Sequence, residues 1–271
     1  MGKELTAKLL PTLQKMPWPQ NPHVTDLGRR AYEIAIDTID SYRDDPKVLA
    51  AALRALQSCD SRPYAMAGVA YALIAAAREA DGTYASEGLE AALRWLEKAQ
   101  ETEPDVVDIN VVEAFIYLHE GRLDDVRLVL DYLQAQDPYS YYVQVAEFAY
   151  WLARQDLEQA QSWFDSASEA ARTVPQRLRL LSQMGDGYAQ LGQWDKALVK
   201  YEEAAHFDAE NHWLWHQISQ IHWQQQNYEE AERFNQRALK LRDFPEGRQM
   251  AAALKEKKGS DTGMLGRLFG R

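Results

Sequence analysis

The chain has 271 residues, 46% of them hydrophobic and 26% charged, enough for one large domain or two small ones at roughly 100–200 residues each. Average apolar content with 14 glycines and 10 prolines excludes a collagen-like or disordered chain, and a single cysteine, Cys59, excludes an internal disulfide or a zinc knuckle and fits a cytoplasmic address. The net charge of −11 is concentrated in residues 101–170, which hold 3 Lys+Arg against 15 Asp+Glu; such a block argues against a nucleic-acid partner and leaves a basic partner and plain solubility both open.

Along the chain, residues 1–24 carry Pro11, Pro17, Pro19 and Pro22 around Trp18, a composition that favours an extended N-terminal arm. The stretch offers only Leu9 and Leu10 where a secretory signal needs ~7–15 apolar residues. Met1 to Thr6 fits a loose myristoylation pattern that recurs by chance. Residues 26–43 and 46–59 are amphipathic helical patterns separated by Asp44, Asp45 and Pro46, with proline where a helix can begin. Tyr64, Gly68 and Tyr71, then Ala92, Trp95, Leu96 and Ala99, give a further helix pair. Between its halves an insertion near 75–87 predicts an overlong helix running into a loop. Residues 25–106 are thus expected to form worn helical hairpins.

From residue 107 to 245 the sequence repeats with a period of 34, given three extra residues around Pro175. Gly185, Tyr188, Gly192, Ala197, Tyr201 and Ala204 are the template. Ala114, Tyr117, Gly121, Val126, Leu130 and Leu133 fall into step one copy earlier; Trp151, Ala160, Phe164 and Ala167, then Trp215, Ala231 and Ala238, supply two more. Phe234 comes one place early. The spacing resembles the tetratricopeptide repeat, a helix-turn-helix unit, in four units at 107–140, 141–174, 178–211 and 212–245. Val126 and Leu133 replace two alanines of that pattern, Gln155 and Gln226 replace the turn glycine, and Ala209 replaces the terminal proline. Small residues at fixed places let helices approach while large ones fill the space between hairpins. The resemblance implies an all-α, right-handed α-solenoid of stacked repeats with a concave face. A capping helix is expected at 246–258 and a flexible tail at 259–271.

Catalytic motifs are missing. The sequence holds no phosphate loop, dinucleotide fingerprint or nucleophile elbow, so neither an enzyme nor a cofactor is expected. His212 and His216 share a helix face, but no base or third ligand accompanies them, and they read as structural or surface groups. Cys59 falls on an apolar face and reads as packing.

Under the resemblance, the groove presents Asp108, Val111, Phe115, Leu118 and His119, then Tyr142, Val145, Ala149, Leu152 and Ala153. The last two units present Arg179, Ser182, Asp186 and Gln190, then Trp213, His216, Gln220, Trp223 and Gln224. The carboxylate clamp of some family members is not built, because Val111, Phe115, Val145, Ala149, Ser182 and Asp186 occupy its places. The expected function is a noncatalytic scaffold or adaptor that holds a peptide or helix of a partner protein. Candidate contacts are Phe115, Tyr142, Arg179, Trp213, His216, Gln220 and Trp223, aromatic residues being common binding anchors. The alternative is peripheral membrane contact or self-association through Leu265, Leu268 and Phe269. Those residues form an apolar edge too short to stay helical alone, and its lipid affinity would be weak.

Overall fold

The computed structural model describes the backbone of residues 2–41, 46–79 and 82–269, and their side chains except at 46 and 258–269. Among the described residues there are fourteen helices, and an isolated antiparallel bridge joins Arg78 to Tyr84. The chain divides into two compact units, Met1–Gln176 and Arg177–Arg271.

The first unit is built around α4 (Arg62–Ala77), which is buried on nearly every side from Pro63 to Ala77. A helix apolar all round must lie inside the structure. It is packed by α2 (Asp26–Ile39), α3 (Pro46–Gln57), α5 (Ser86–Gln100), α6 (Val107–His119) and α1 (Gly2–Lys15). Leu73, Leu89, Leu96, Ile109 and Ile116 are fully buried in this core or within 2% of it, each contributing about 1.5–3 kcal/mol by removal from water. α4 ends at Ala77, early in the insertion near 75–87 where an overlong helix was expected to run into a loop. The loop after it folds back, with Ala85 N–H donating to Ala77 O at 2.9 Å and Tyr84 stacked 3.8 Å from His119.

The N-terminal segment differs from the expected extended arm, because Gly2–Lys15 is helical with Pro11 inside it. Tertiary packing outweighs the one hydrogen bond a proline forfeits: Leu13 is fully buried and Thr6 nearly so. The first turn is held from outside. Glu79 accepts from Gly2 N at 2.9 Å and from Lys3 N at 2.8 Å, satisfying N–H groups that a helix start leaves orphaned. Only glycine fits at position 2, where a Cβ would meet Ala77 O at 2.3 Å. The extended character begins after the helix, where Trp18 packs edge-on against Trp95 at 5.8 Å and Asn21 O accepts from Arg62 N at 2.8 Å.

Four hairpins follow: α6 with α7 (Leu123–Gln136), α8 (Tyr141–Ala153) with α9 (Leu157–Ala170), α10 (Val174–Gln190) with α11 (Trp194–Phe207), and α12 (His212–Gln224) with α13 (Tyr228–Leu241). The second helix of each buries its repeat residues: Val126, Leu130 and Leu133; Ala160, Phe164 and Ala167; Ala197, Tyr201 and Ala204; Ala231, Asn235 and Ala238. The last set explains the misplaced Phe234. Asn235 takes the core slot and donates to Gly247 O at 2.8 Å, while Phe234 lies parallel to Trp215 and to His222, at 6.0 and 5.3 Å. Between α7 and α8, Arg127 grips Glu147, itself 0% exposed, with two bonds of 2.9 and 2.6 Å.

One backbone device closes all four hairpins. Gly121, Gln155, Gly192 and Gln226 have φ of 74°, 59°, 69° and 61°. The following N–H donates five residues back, Arg122 to Tyr117, Asp156 to Trp151, Gln193 to Tyr188 and Asn227 to His222, at 2.8–3.0 Å, the Schellman pattern of a left-handed helix stop. The final helix, α14, spans Pro245–Phe269. Leu265, Leu268 and Phe269, the expected tail contacts, have side chains outside the described residues.

Candidate functional site

The inner helices of the first unit present their groove positions to their own neighbours. Phe115 on α6 is 3% exposed and meets Tyr71 edge-on at 6.0 Å. Tyr142 on α8 is 5% exposed, 6.3 Å from Tyr32 of α2. Val111, Val145 and Ala149 are buried as well. Phe115 is thus closed by α4, and α2 adds contacts to two further segments: Tyr32 donates to Asp108 O of α6 at 2.6 Å, Arg29 pairs with Asp108 at 3.0 Å, and Asp37 accepts from Thr173 Oγ1 at 2.7 Å. Phe115 and Tyr142 are therefore core residues, and in this structure they offer no free surface.

In the second unit Arg179 is also buried. On α12, Trp213, His216, Gln220 and Trp223 recur at steps of three or four and form one stripe. His216 is 1% exposed, its ring 5.2 Å from Phe244 and 5.3 Å from Trp213, and Gln220 Nε2 lies 3.1 Å from His216 Nε2. Trp213, Gln220 and Trp223 remain part-exposed. Trp213 leans on Phe244 at 6.1 Å and Trp223 meets Tyr228 edge-on at 5.1 Å, so both indoles are braced from one side and open on another. Phe244 is the residue the sequence reading missed. It follows the last period, and its place under three ring systems is not signalled by the repeat.

The remaining polar candidates fill structural places. His212 packs on Phe244 at 4.9 Å, and burial lowers the pKa of His216 and His222. Among the described residues no three His, Cys, Asp or Glu side chains gather as metal ligands. Cys59 is buried, its thiol donating to Ser61 O at 3.3 Å, and burial pushes its pKa up, away from the reactive thiolate. A cleft of about 280 Å³ between α1 and α3 is lined by Leu5, Leu9, Met16, Leu49 and Leu53. No described helix is long and apolar enough to cross a membrane.

No family model matches the chain, and no curated protein matches its sequence. Solved structures do resemble it. TTC0263, a thermophilic TPR protein of Thermus thermophilus, aligns with 63% of this chain and 91% of its own at 20% identity and a TM-score of 0.50. PilF of Pseudomonas aeruginosa aligns over 77% and 92% at 14% identity and 0.53. The Cut9–Hcn1 hetero-tetramer of the APC/C aligns over 84% of this chain and 46% of its own at 12% identity and 0.58. With its helical hairpins, repeated left-handed turns and recurring buried small residues, the chain has the all-α fold of stacked tetratricopeptide repeats.

Proposed function

We propose that the chain is a noncatalytic protein-interaction scaffold whose second unit holds a peptide or helix of a partner against α12. The observation that carries this reading is the braced, part-exposed pair Trp213 and Trp223 with Gln220 between them. Large rigid aromatics held by packing lose little entropy when a partner covers them, and such residues dominate binding hot spots. Gln220 supplies directional hydrogen bonding in the same stripe. Buried Phe115 and Tyr142 stay in the first unit's core rather than in the contact surface.

The test is quantitative recovery of co-purifying proteins by mass spectrometry with wild type and the Trp213→Ala/Trp223→Ala double variant. The variant should retain its helical circular dichroism and lose a defined set of partners by at least about tenfold, the equivalent of 1.4 kcal/mol. Equal recovery by a folded variant would refute the α12 surface.

A further inference from the structure

The cleft between α1 and α3 is in the first unit, where both helices lie on α4. On α1 its lining residues Leu5, Leu9, Thr12 and Met16 follow at steps of four, three and four, so they form one stripe of the helix. Leu49 and Leu53 face them from α3 across a space of about 280 Å³. Leu5, Leu9, Met16 and Leu49 are only half-buried. Contiguous apolar surface with a polar rim marks an interaction site. Here the rim is basic: Lys8 and Lys15 flank the α1 stripe and Arg54 edges α3, all three exposed. α1 and α3 together carry Lys3, Lys8, Lys15, Lys47 and Arg54 against one carboxylate, Glu4. Of these, Lys3 is paired with Glu87 at 2.8 Å.

The same unit displays the complement on α7. Leu128 is 69% exposed and Tyr132 42%. They are four residues apart and Val129 is three before Tyr132, so the three share one apolar edge, beside Pro104. Asp124 and Asp131, four before and three after Leu128, are both exposed, and the Tyr132 hydroxyl donates to exposed Asp105 at 3.0 Å. The nearby cations are engaged by other carboxylates, Arg122 by Glu120 and Asp125, and Arg127 by Glu147 as well as Asp131. The edge is therefore apolar with acidic flanks.

We infer that the cleft between α1 and α3 receives the Leu128 and Tyr132 edge of α7 from a second copy of the chain. Apolar side chains that protrude from an acidic helix enter an apolar cleft with a basic rim, so burial supplies affinity and charge sets orientation. Within one chain α7 packs on α6 and α8, whereas α1 and α3 pack on α2, α4 and α5, so the two faces meet only between copies. The apolar tail segment is a poorer occupant, because Arg267 and Arg271 give it the sign of the rim. An anionic bilayer has the right charge but presents no protruding side chains to a concave cleft. Since the two surfaces differ, the contact is heterologous: a copy that docks its α7 still offers its own cleft, and association proceeds beyond the dimer. It is independent of the α12 surface.

Sedimentation velocity of the full chain over a concentration series tests this. The weight-average sedimentation coefficient should rise with concentration, and rise less in high salt, where the charge match is screened. Leu9→Glu in the cleft and Leu128→Glu on α7 should each weaken association at least about tenfold, because each puts a charge where an apolar contact is buried. An equimolar mixture of these two variants should recover one contact, since one keeps its α7 edge and the other its cleft, and should stop at the dimer. If Leu9→Glu loses helicity by circular dichroism, Arg54→Glu, at an exposed position, takes its place in the mixture. The Trp213→Ala/Trp223→Ala variant should associate like wild type. A wild-type chain that stays monomeric, association that survives both glutamate variants, a mixture that gains no dimer, or an equal loss in the tryptophan variant would each overturn the inference. So would binding of phosphatidylserine vesicles in place of self-association, abolished by Leu9→Glu and kept by Leu128→Glu, which would give the cleft to a membrane. The α12 reading would survive any of these, since partner recovery through Trp213 and Trp223 decides it.

Discussion

His216 and His222 give the second unit a pH response of defined sign. Burial lowers both pKa values below the ordinary 6.5, against the opposing pull of Glu246 on His216 and of Glu230 and Glu202 on His222. A histidine that is harder to protonate when folded contributes stability that is present above pH 6.5 and lost as pH falls through the folded value. Asp37 and Asp108 work in the other direction: burial raises both above the ordinary 3.8, so their contribution is present below 3.8 and is lost as pH rises through the folded values. The urea midpoint should therefore fall between pH 7.5 and 5.5, and His216→Gln should flatten that slope; a variant with the wild-type slope would remove His216 from the account. These groups were only partly visible beforehand. The spacing of His212 and His216 was legible, but their burial depends on Phe244, which lies beyond the last period.

Among the elements, the hairpin turn shows how backbone geometry outlasts its preferred residue. Gln155 and Gln226 adopt the left-handed conformation that glycine takes at Gly121 and Gly192, although a side chain there costs roughly 1–2 kcal/mol. Packing of α8 on α9 and of α12 on α13 fixes the path, and the local residue conforms. Gln155→Gly and Gln226→Gly should each raise stability by about 0.5–1 kcal/mol, the relief of strain being partly offset by the greater freedom of glycine in the unfolded chain. Thermal or urea unfolding of the single variants checks this, and a loss of stability in both would contradict the strain. The period itself was readable because alanines and aromatics recur wherever helices touch. Helix α1 was not, since four prolines in 1–24 favour an extended arm, and its anchors, Glu79 and the core around Leu13, lie far away in sequence or depend on tertiary packing.

Considered whole, the chain divides into two compact units, and the repeat register alone could not say which inner face stays open. The register placed Phe115 and Tyr142 on a groove, but upstream helices cover those positions, with Tyr71 of α4 against Phe115 and Tyr32 of α2 beside Tyr142. That covering depends on contacts between residues as far apart in sequence as Tyr32 and Tyr142, which no periodicity reports. The buried Cys59 has a practical consequence here. It is the chain's one cysteine and lies in the first unit, closed in after α3 with its thiol on Ser61 O. A thiol reagent can label it only when that corner breathes, so the labelling rate is a clock for local opening. In native buffer Cys59 should react far more slowly than the thiol of an unstructured peptide, and low urea should speed it up before the tryptophan signal of the whole chain changes. A native rate equal to the peptide's would mean the corner is already open. With no second thiol to confuse the reading, the wild-type chain carries its own stopwatch.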